Sequence, residues 1–370
     1  MSDEPWDAPF VHYGVAERPV VILAPDSALG WAYGPNIIAT CRNVIAVVDN
    51  NDTKSEIHGV TRWGFDELRA NARIPDLIGI DLSTSPLGYS VFTALARSLS
   101  IPVADFPQAL AELDLPAVYQ KPILMRERTI AKRAEYVQLR ASLADELSRQ
   151  TLDAFVALRL TLRRDKIREI YAPSADEYFS VGASENTFRL GRNEALCDAG
   201  AYRGSVIQKF IAATHGKFDV IHAFEPDRKN FALLCKLATL PFDNIKLHHK
   251  AVGDRSGYAH FWETGTTGSH VLLNEKASEN TVPITRIDDA MDRVTFIKMD
   301  LESFEARALR GASGLIREFR PRMAITAYHY VDDLLDICAT IRELMPTCSL
   351  RLRQHHLSFY DTVVYAAAAT

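Results

Sequence analysis

The stretch CDAGAYRG, residues 197–204, decides the fold. It follows an apolar run and precedes a helix-like stretch. Gly200 and Gly204 let its backbone turn tightly and approach a ligand. A strand-to-helix corner of this kind has a rival in LAPDSALG, residues 23–30. On local pattern alone a nucleotide-type cofactor fits either corner, both, or neither.

Around the first corner, the chain from residue 194 alternates strand-like and helix-like stretches. EALCDAGA, DVIHAFEP, NIKLHHKAVGD, VTFIKMDLE, MAITAYHY, LRLRQHH and TVVYAAA read as seven strands. Helix-length intervals separate the earlier ones, which implies βαβ units and a parallel sheet. YAHFWETG and SHVLLN predict a β excursion between the third and fourth strands. Only a short turn follows LRLRQHH, so the last two strands should form an antiparallel hairpin at a sheet edge. Five parallel strands and a terminal hairpin is the layout of class I, Rossmann-like methyltransferases.

Around the rival corner, PVVILAPD (19–26), VIAVVDNN (44–51) and DLIGIDLS (76–83) alternate with helix-like stretches such as VFTALARSL (91–99). This half reads as a smaller Rossmann-like α/β domain. Between the halves, a stretch without Gly or Pro runs to Ile170 with eleven Lys/Arg against seven Asp/Glu. Leu139, Leu143, Leu147, Leu152, Phe155 and Val156 recur at near-helical spacing, predicting one or two amphipathic helices. The expected organisation is an N-terminal domain over 1–120, a helical connector over 121–175 and a third segment over 176–370.

Bulk properties narrow the function. A net charge of −5 over 370 residues gives no basis for general nucleic-acid binding. The five cysteines are scattered and lack any CxxC, which fits reduced thiols better than a disulfide framework or a zinc site. The acidic start, MSDEPWDAPF, has no apolar core and is not expected to be a signal peptide. No apolar run reaches the roughly 18 residues of a membrane span. A soluble, cytoplasmic protein is the expectation.

Asp198 ends the first strand of the second region, and Glu225 closes the next one in AFEP, about twenty residues on. A carboxylate there suits a ribose diol. NAD sites share that spacing, so these two motifs alone leave the cofactor undecided.

The ordered set DAGAYRG (198–204), AFEPDRKNFALL (223–234), NIKLHHKAVGDRSG (244–257), IKMDLESFEARALRGA (297–312) and PRMAIT (321–326) resembles the FkbM family of S-adenosylmethionine-dependent methyltransferases. AYHYVDDLLDI (327–337) and LRQHHLSFYDTVVYA (352–366) resemble a subgroup with a Tyr-His after the fifth strand. Together they cover most of residues 178–367. The resemblance implies a cofactor loop at Asp198, Gly200, Tyr202 and Gly204, and a ribose acid at Glu225. It puts adenine beside Ala251, Val252 and Asp254. Asp300 and His329 stand at strand ends facing the same crevice and are the expected reaction residues, with Glu302 and Glu305 nearby. His355 and His356 are secondary candidates. Asp300, Glu302 and His329 would suit a divalent ion, but no metal is expected, because nothing in their spacing demands one.

Two positions depart from the family pattern. Arg203 stands where an acidic or polar residue is usual, leaving cofactor, acceptor or solvent as its partner. Ser303 stands where Gly is frequent. In the rival loop only Gly30 survives of a GxGxxG pattern, and Asp26 adds negative charge where phosphates would lie. Asp49 alone does not rescue a dinucleotide site. The N-terminal half is left to contact the acceptor, to pair with another subunit, or to support the other half.

The expected activity is S-adenosylmethionine-dependent O-methylation of a hydroxyl on a sugar, glycan or natural product, a bacterial glycan or its precursor being favoured. Homo-oligomer formation stays open. A non-catalytic scaffold with a retained methyltransferase fold is the alternative, and an NAD-dependent oxidoreductase using the N-terminal half a more distant one.

Overall fold

In the computed structural model of the chain, residues 6, 9–50, 54–117, 119–172, 177–179, 188–266, 268–272 and 280–369 are described. The expected boundary at 175/176, most of MSDEPWDAPF and the end of SHVLLN lie outside them. The chain divides into two compact units. One comprises residues 1–134, 150–171 and 356–360, the other residues 135–149, 172–355 and 361–370.

The first unit is built on short β-branched runs. Its strands are β1 (Val20–Leu23), β2 (Val44–Val48), β3 (Glu56–Ile57), β4 (Val60–Trp63), β5 (Ile78–Asp81) and β6 (Val103–Asp105), in the order β3-β4-β2-β1-β5-β6. All pairings are parallel except β3 with β4. Helices α1 (Ala28–Thr40), α2 (Phe65–Asn71), α3 (Pro86–Ser98) and α4 (Phe106–Glu112) alternate with them. β1, β2 and β5 are the three strands read from sequence. The β3–β4 hairpin turns on His58 (φ +54°) and Gly59 (φ +75°), two successive left-handed residues as in a type I′ turn. A histidine at the first of these hides the usual Asn-Gly signal.

Arg164 anchors this unit. Its guanidinium is fully buried, 2.6 Å from Asp105, and donates to the carbonyls of Ser83, Asp81 and Leu357. A buried cation persists only when every donor finds such a partner.

The basic stretch folds as four helices instead of one or two: α5 (Pro122–Ala131), α6 (Arg133–Ala141), α7 (Glu146–Thr161) and α8 (Asp165–Ile170). The break before α7 has a local cause. Asp145 Oδ1 accepts the Ser148 N–H at 2.7 Å, a side-chain cap that starts a new helix. Leu139, Leu143, Leu152, Phe155 and Val156 are buried as the periodicity requires, whereas Leu147 is 40% exposed. Among the described residues no helix is long and apolar enough to cross a membrane.

The second unit holds β7 (Ala195–Ala199), α9 (Ser205–Ala213), β8 (Val220–Phe224), α10 (Arg228–Leu234), β9 (Ile245–His248), β10 (Ala251–Val252), β11 (Gly257–Trp262), β12 (His270–Val271) and β13 (Thr281–Thr285). It continues with β14 (Phe296–Met299), α11 (Glu305–Gly311), α12 (Ser313–Phe319), β15 (Arg322–Thr326), α13 (Asp333–Leu344), β16 (Cys348–Gln354) and β17 (Thr362–Ala368). Its main sheet has the order β16-β17-β15-β14-β7-β8-β9. β17 runs antiparallel to both its neighbours, and the other pairings are parallel. β10, β13, β11 and β12 make a separate four-stranded sheet. Phe210, Phe296, Ile221, Leu196 and Tyr365 pack the core against the main sheet. Strand order reverses between β14 and β7, so the crevice for a ligand opens at their C-terminal ends.

Candidate active site

The loop after β7 is shaped by backbone conformations that its sequence only partly declares. Gly200 has φ +77°, and a Cβ there would lie 2.0 Å from the Asp300 carbonyl oxygen. Gly204 has φ +87° and precedes α9; a Cβ there would lie 2.5 Å from a Leu237 methyl group. Tyr202 between them is also left-handed, at φ +50°. The corner holds because Gly200 and Ala201 both donate to the Phe224 carbonyl, at 3.0 and 2.9 Å.

Glu225 follows β8 and is 6% exposed. Its Oε2 accepts the Tyr202 N–H and its Oε1 the Asp227 N–H, each at 2.8 Å. Each oxygen keeps a lone pair for a further donor. Burial pushes its carboxyl up to about 7, against the pull of the two N–H groups.

Below the loop, Asp198 pairs with Lys298 of β14, Nζ to Oδ1 3.2 Å, both side chains sealed from solvent. Lys298 also donates to the Gly200 carbonyl at 2.7 Å. Burial raises the Asp198 carboxyl, and the ammonium counters it. Lys298 was missed in the sequence. Its signal is a cation inside the apolar run FIKM, which demands a buried carboxylate, and strand register sets Asp198 directly beside it.

Asp300 and His329 come together, joined by both acids of the fourth-strand motif. His329 is 1% exposed. Its Nε2 lies 3.4 Å from Asp300 Oδ1 and 3.2 Å from Glu302 Oε2, and its Nδ1 lies 3.5 Å from Glu305 Oε1. Burial works against its charged form, but Glu302, Glu305 and Asp300 together push the ring up to about 10. Thr326 Oγ1 donates within reach of Asp300 Oδ1 at 3.1 Å and Glu305 Oε1 at 3.2 Å. The Leu301 N–H also donates to Glu305 Oε1, at 2.6 Å. Asp333, which the sequence reading did not single out, accepts from Ser303 and from the Tyr330 N–H, each at 2.7 Å.

Ser303 stands at φ +78° and the preceding Glu302 at φ +55°. A glycine would enter that region without strain. Here the Ser303 hydroxyl bond to Asp333 holds the turn.

Ala251 and Val252 are buried in β10, and Asp254 is exposed just after it. Asp254 lines a cavity of about 250 Å³ with Ile284, Phe304, Arg255, Arg307 and His260 among its walls. The other histidines are engaged elsewhere: His355 Nε2 with the Tyr365 hydroxyl at 2.9 Å, and His356 Nδ1 with Ser358 at 2.7 Å. Arg203 stacks over Tyr202, with its guanidinium carbon 4.7 Å from the ring centre, and reaches Asn230 at 3.3 Å and the Gly265 carbonyl at 3.2 Å. It binds a loop of its own unit. At the rival corner, Ser27 Oγ accepts the Gly30 N–H and Asp26 accepts from the Trp31 indole, so neighbouring groups occupy these side chains.

Residues 198–349 match the family model of the methyltransferase FkbM domain, and the resemblance read from the sequence stands on that match. The chain is similar to a methyltransferase FkbM from Methylobacillus flagellatus KT, at 26% identity and TM-score 0.77 over 94% of this chain and 90% of that one. A precorrin-6y C5,15-methyltransferase from Geobacter metallireducens GS-15 matches 49% of this chain and 82% of its own at 11% identity and TM-score 0.31. A putative methyltransferase from Streptococcus mutans, solved in complex with SAH, matches 49% and 91% at 13% identity and TM-score 0.33. No curated protein matches.

Proposed function

We propose that the second unit transfers a methyl group from S-adenosylmethionine to an acceptor hydroxyl, on a sugar, glycan or natural product. One observation carries this reading: Glu225, held by two backbone N–H groups, faces the Gly200–Gly204 corner with a spare lone pair on each carboxylate oxygen. A ribose diol supplies two donors at that separation. The similarity to the Methylobacillus methyltransferase supports it over nearly the whole chain.

The fit extends along the strand ends. Glu225 would hold the ribose, the Asp198–Tyr202 loop the amino-acid tail, and Ala251, Val252 and Asp254 the adenine side. Bound there, S-adenosylmethionine supplies a methyl group already activated as a sulfonium.

The chain's own task is then alignment and proton removal. Lys298, through the Gly200 carbonyl and Asp198, fixes the floor on which the donor rests. Asp300, whose side chain is 32% exposed, is the group able to accept the acceptor hydroxyl's proton. A cofactor held there would supply its sulfonium methyl group to the acceptor oxygen and leave as a neutral thioether, with the hydroxyl proton going to Asp300. His329, buried among three carboxylates, orients Asp300 without meeting the acceptor as a base.

Calorimetry with S-adenosylhomocysteine tests the cofactor assignment. Binding by the folded protein that is lost in Glu225→Ala supports it. No binding, or binding unchanged in that variant, overturns it. An acceptor panel monitored by methyl incorporation then tests the hydroxyl class.

A further inference from the structure

We infer that the cavity walled by the four-stranded sheet and α11 is a subsite for the acceptor, and that it takes a sugar bearing a carboxylate or a phosphate. That the ligand is the methyl acceptor rests on the methyltransferase reading above; the anion site itself does not.

The apolar lining comes from both elements. Ile284 of β13 and Phe304 at the start of α11 are buried in one cluster with Ala251 and Ala259, and Val271 and Leu301 pack against it. Ala251 belongs to the side assigned to adenine, and Leu301 follows Asp300. The cavity therefore adjoins both the donor and the residue that takes the hydroxyl proton. At about 250 Å³ it stands at the small end of ligand pockets, with room for one monosaccharide unit and a charged substituent. The C–H face of a pyranose ring buries well against such a lining.

The polar lining carries more positive than negative charge. Arg255 and Arg307 contribute two guanidiniums, and Asp254 one carboxylate. Arg286, Arg293 and Arg322 of the same unit each pair with a carboxylate, at 2.7, 2.6 and 2.5 Å. Arg307 has no such partner among the described residues, although Asp254 lines the same cavity. Phe304 and Arg307 are three residues apart at the start of α11 and share a face. The Arg307 guanidinium carbon accordingly stands over the Phe304 ring, 5.3 Å from its centre. Stacking occupies the face of a guanidinium and leaves its N–H fork for a carboxylate or phosphate, which offers two oxygens to two donors.

The donor does not account for this wall. Adenine is neutral and needs an apolar slot with one or two polar contacts, not two guanidiniums. An acidic sugar uses every part of it. Its anion meets the arginines, a ring hydroxyl donates to Asp254, and its ring carbons cover Ile284, Phe304 and Val271. Asp254, assigned above to the adenine side, then stands on the boundary between donor and acceptor.

The test is saturation-transfer NMR on the full chain with glucose, glucuronate and glucosyl phosphate, each alone. S-adenosylhomocysteine calorimetry is run beside it on each protein. At least one acidic sugar should bind about tenfold or more tightly than glucose, and Arg307→Gln should remove that preference. The stronger of the two identifies the anion as carboxylate or phosphate. Arg307 is exposed, so the variant should fold, and it should keep the wild-type affinity for S-adenosylhomocysteine. Glucose binding as tightly as both acidic sugars overturns the anion site, as does a preference that survives Arg307→Gln. Loss of S-adenosylhomocysteine binding in that variant overturns it too, because the cavity then belongs to the donor. Wild-type protein that binds S-adenosylhomocysteine but none of the three sugars overturns the subsite and leaves the methyltransferase reading intact. Arg307-dependent binding of an acidic sugar without S-adenosylhomocysteine binding supports the anion site and sinks the methyltransferase reading instead.

Discussion

Lys298 Nζ lies 3.2 Å from Asp198 Oδ1 in the centre of the main sheet, with neither side chain in contact with solvent. The two residues sit side by side in register on β14 and β7. Removing one partner leaves a buried charge that nothing compensates, which costs about 3–5 kcal/mol. Lys298→Met should lower stability by that order in chemical denaturation, and adding Asp198→Asn should recover part of the loss. A cost under about 1 kcal/mol would show that the pair holds nothing together.

Gly200→Ala tests the cofactor corner. The substitution meets strain from φ +77° and a backbone oxygen 2.0 Å from the new Cβ. The φ alone costs about 1–3 kcal/mol, and the Asp300 carbonyl cannot rotate away as a side chain would. Gly257 separates the two effects, since its φ is +140° and nothing lies within 4 Å of a Cβ there. Gly200→Ala should lower the melting temperature more than Gly257→Ala and should abolish S-adenosylhomocysteine binding. Equal effects would mean that the approach to Asp300 is relaxed at little cost.

Much of this architecture is legible in apolar periodicity, because β-branched runs at helix-length intervals admit few arrangements. The corner glycines were legible too, since positive φ calls for glycine. Tyr202, Glu302 and Ser303 show where that logic stops: all three are left-handed without being glycine, each held by contacts distant in sequence. Lys298 was hidden by its apolar neighbours, and the β3–β4 hairpin by His58 in place of Asn. The His329 cluster was half visible. Asp300, Glu302 and Glu305 share a motif, but Asp333 lies about thirty residues on and is brought beside them by Ser303 and the Tyr330 N–H.

The Glu225 carboxyl gives a pH prediction. Its folded value, about 7, lies above the unfolded one, so the folded apoprotein binds the extra proton. Its contribution to stability is therefore present below the unfolded value of about 4.3 and is lost as pH rises through about 7. Cofactor binding has the opposite sense, because two ribose hydroxyls need the ionised carboxylate. S-adenosylhomocysteine affinity should fall as pH drops from 8 to 6, approaching about tenfold per unit below the folded value. Glu225→Gln should bind more weakly at pH 8 and flatten the profile. An equally steep profile in the Gln variant would assign the titration to another group.

Arg203 was left by the sequence with three partners to choose from: cofactor, acceptor or water. Its guanidinium instead reaches the Gly265 carbonyl, while Asn230 donates to the Thr266 carbonyl at 3.0 Å. From the other side, Asp227 Oδ2 accepts the Gly265 N–H at 2.8 Å and the Ser269 hydroxyl at 2.6 Å. The start of α10 and the corner after β7 thus clasp one loop, and both lie beside the N–H groups of Asp227 and Tyr202 that hold Glu225. Arg203→Ala should speed amide exchange at Gly265 and Thr266, because a carbonyl anchor is gone while the Asp227 contacts remain. Arg203→Lys should restore little, since an ammonium cannot span Asn230 and Gly265 as the planar fork does. S-adenosylhomocysteine affinity should change less than about threefold, a fraction of the effect expected for a charged contact. A loss of a hundredfold or so would mean that the guanidinium leaves the loop to meet the ligand, and the clasp would then be only its resting place.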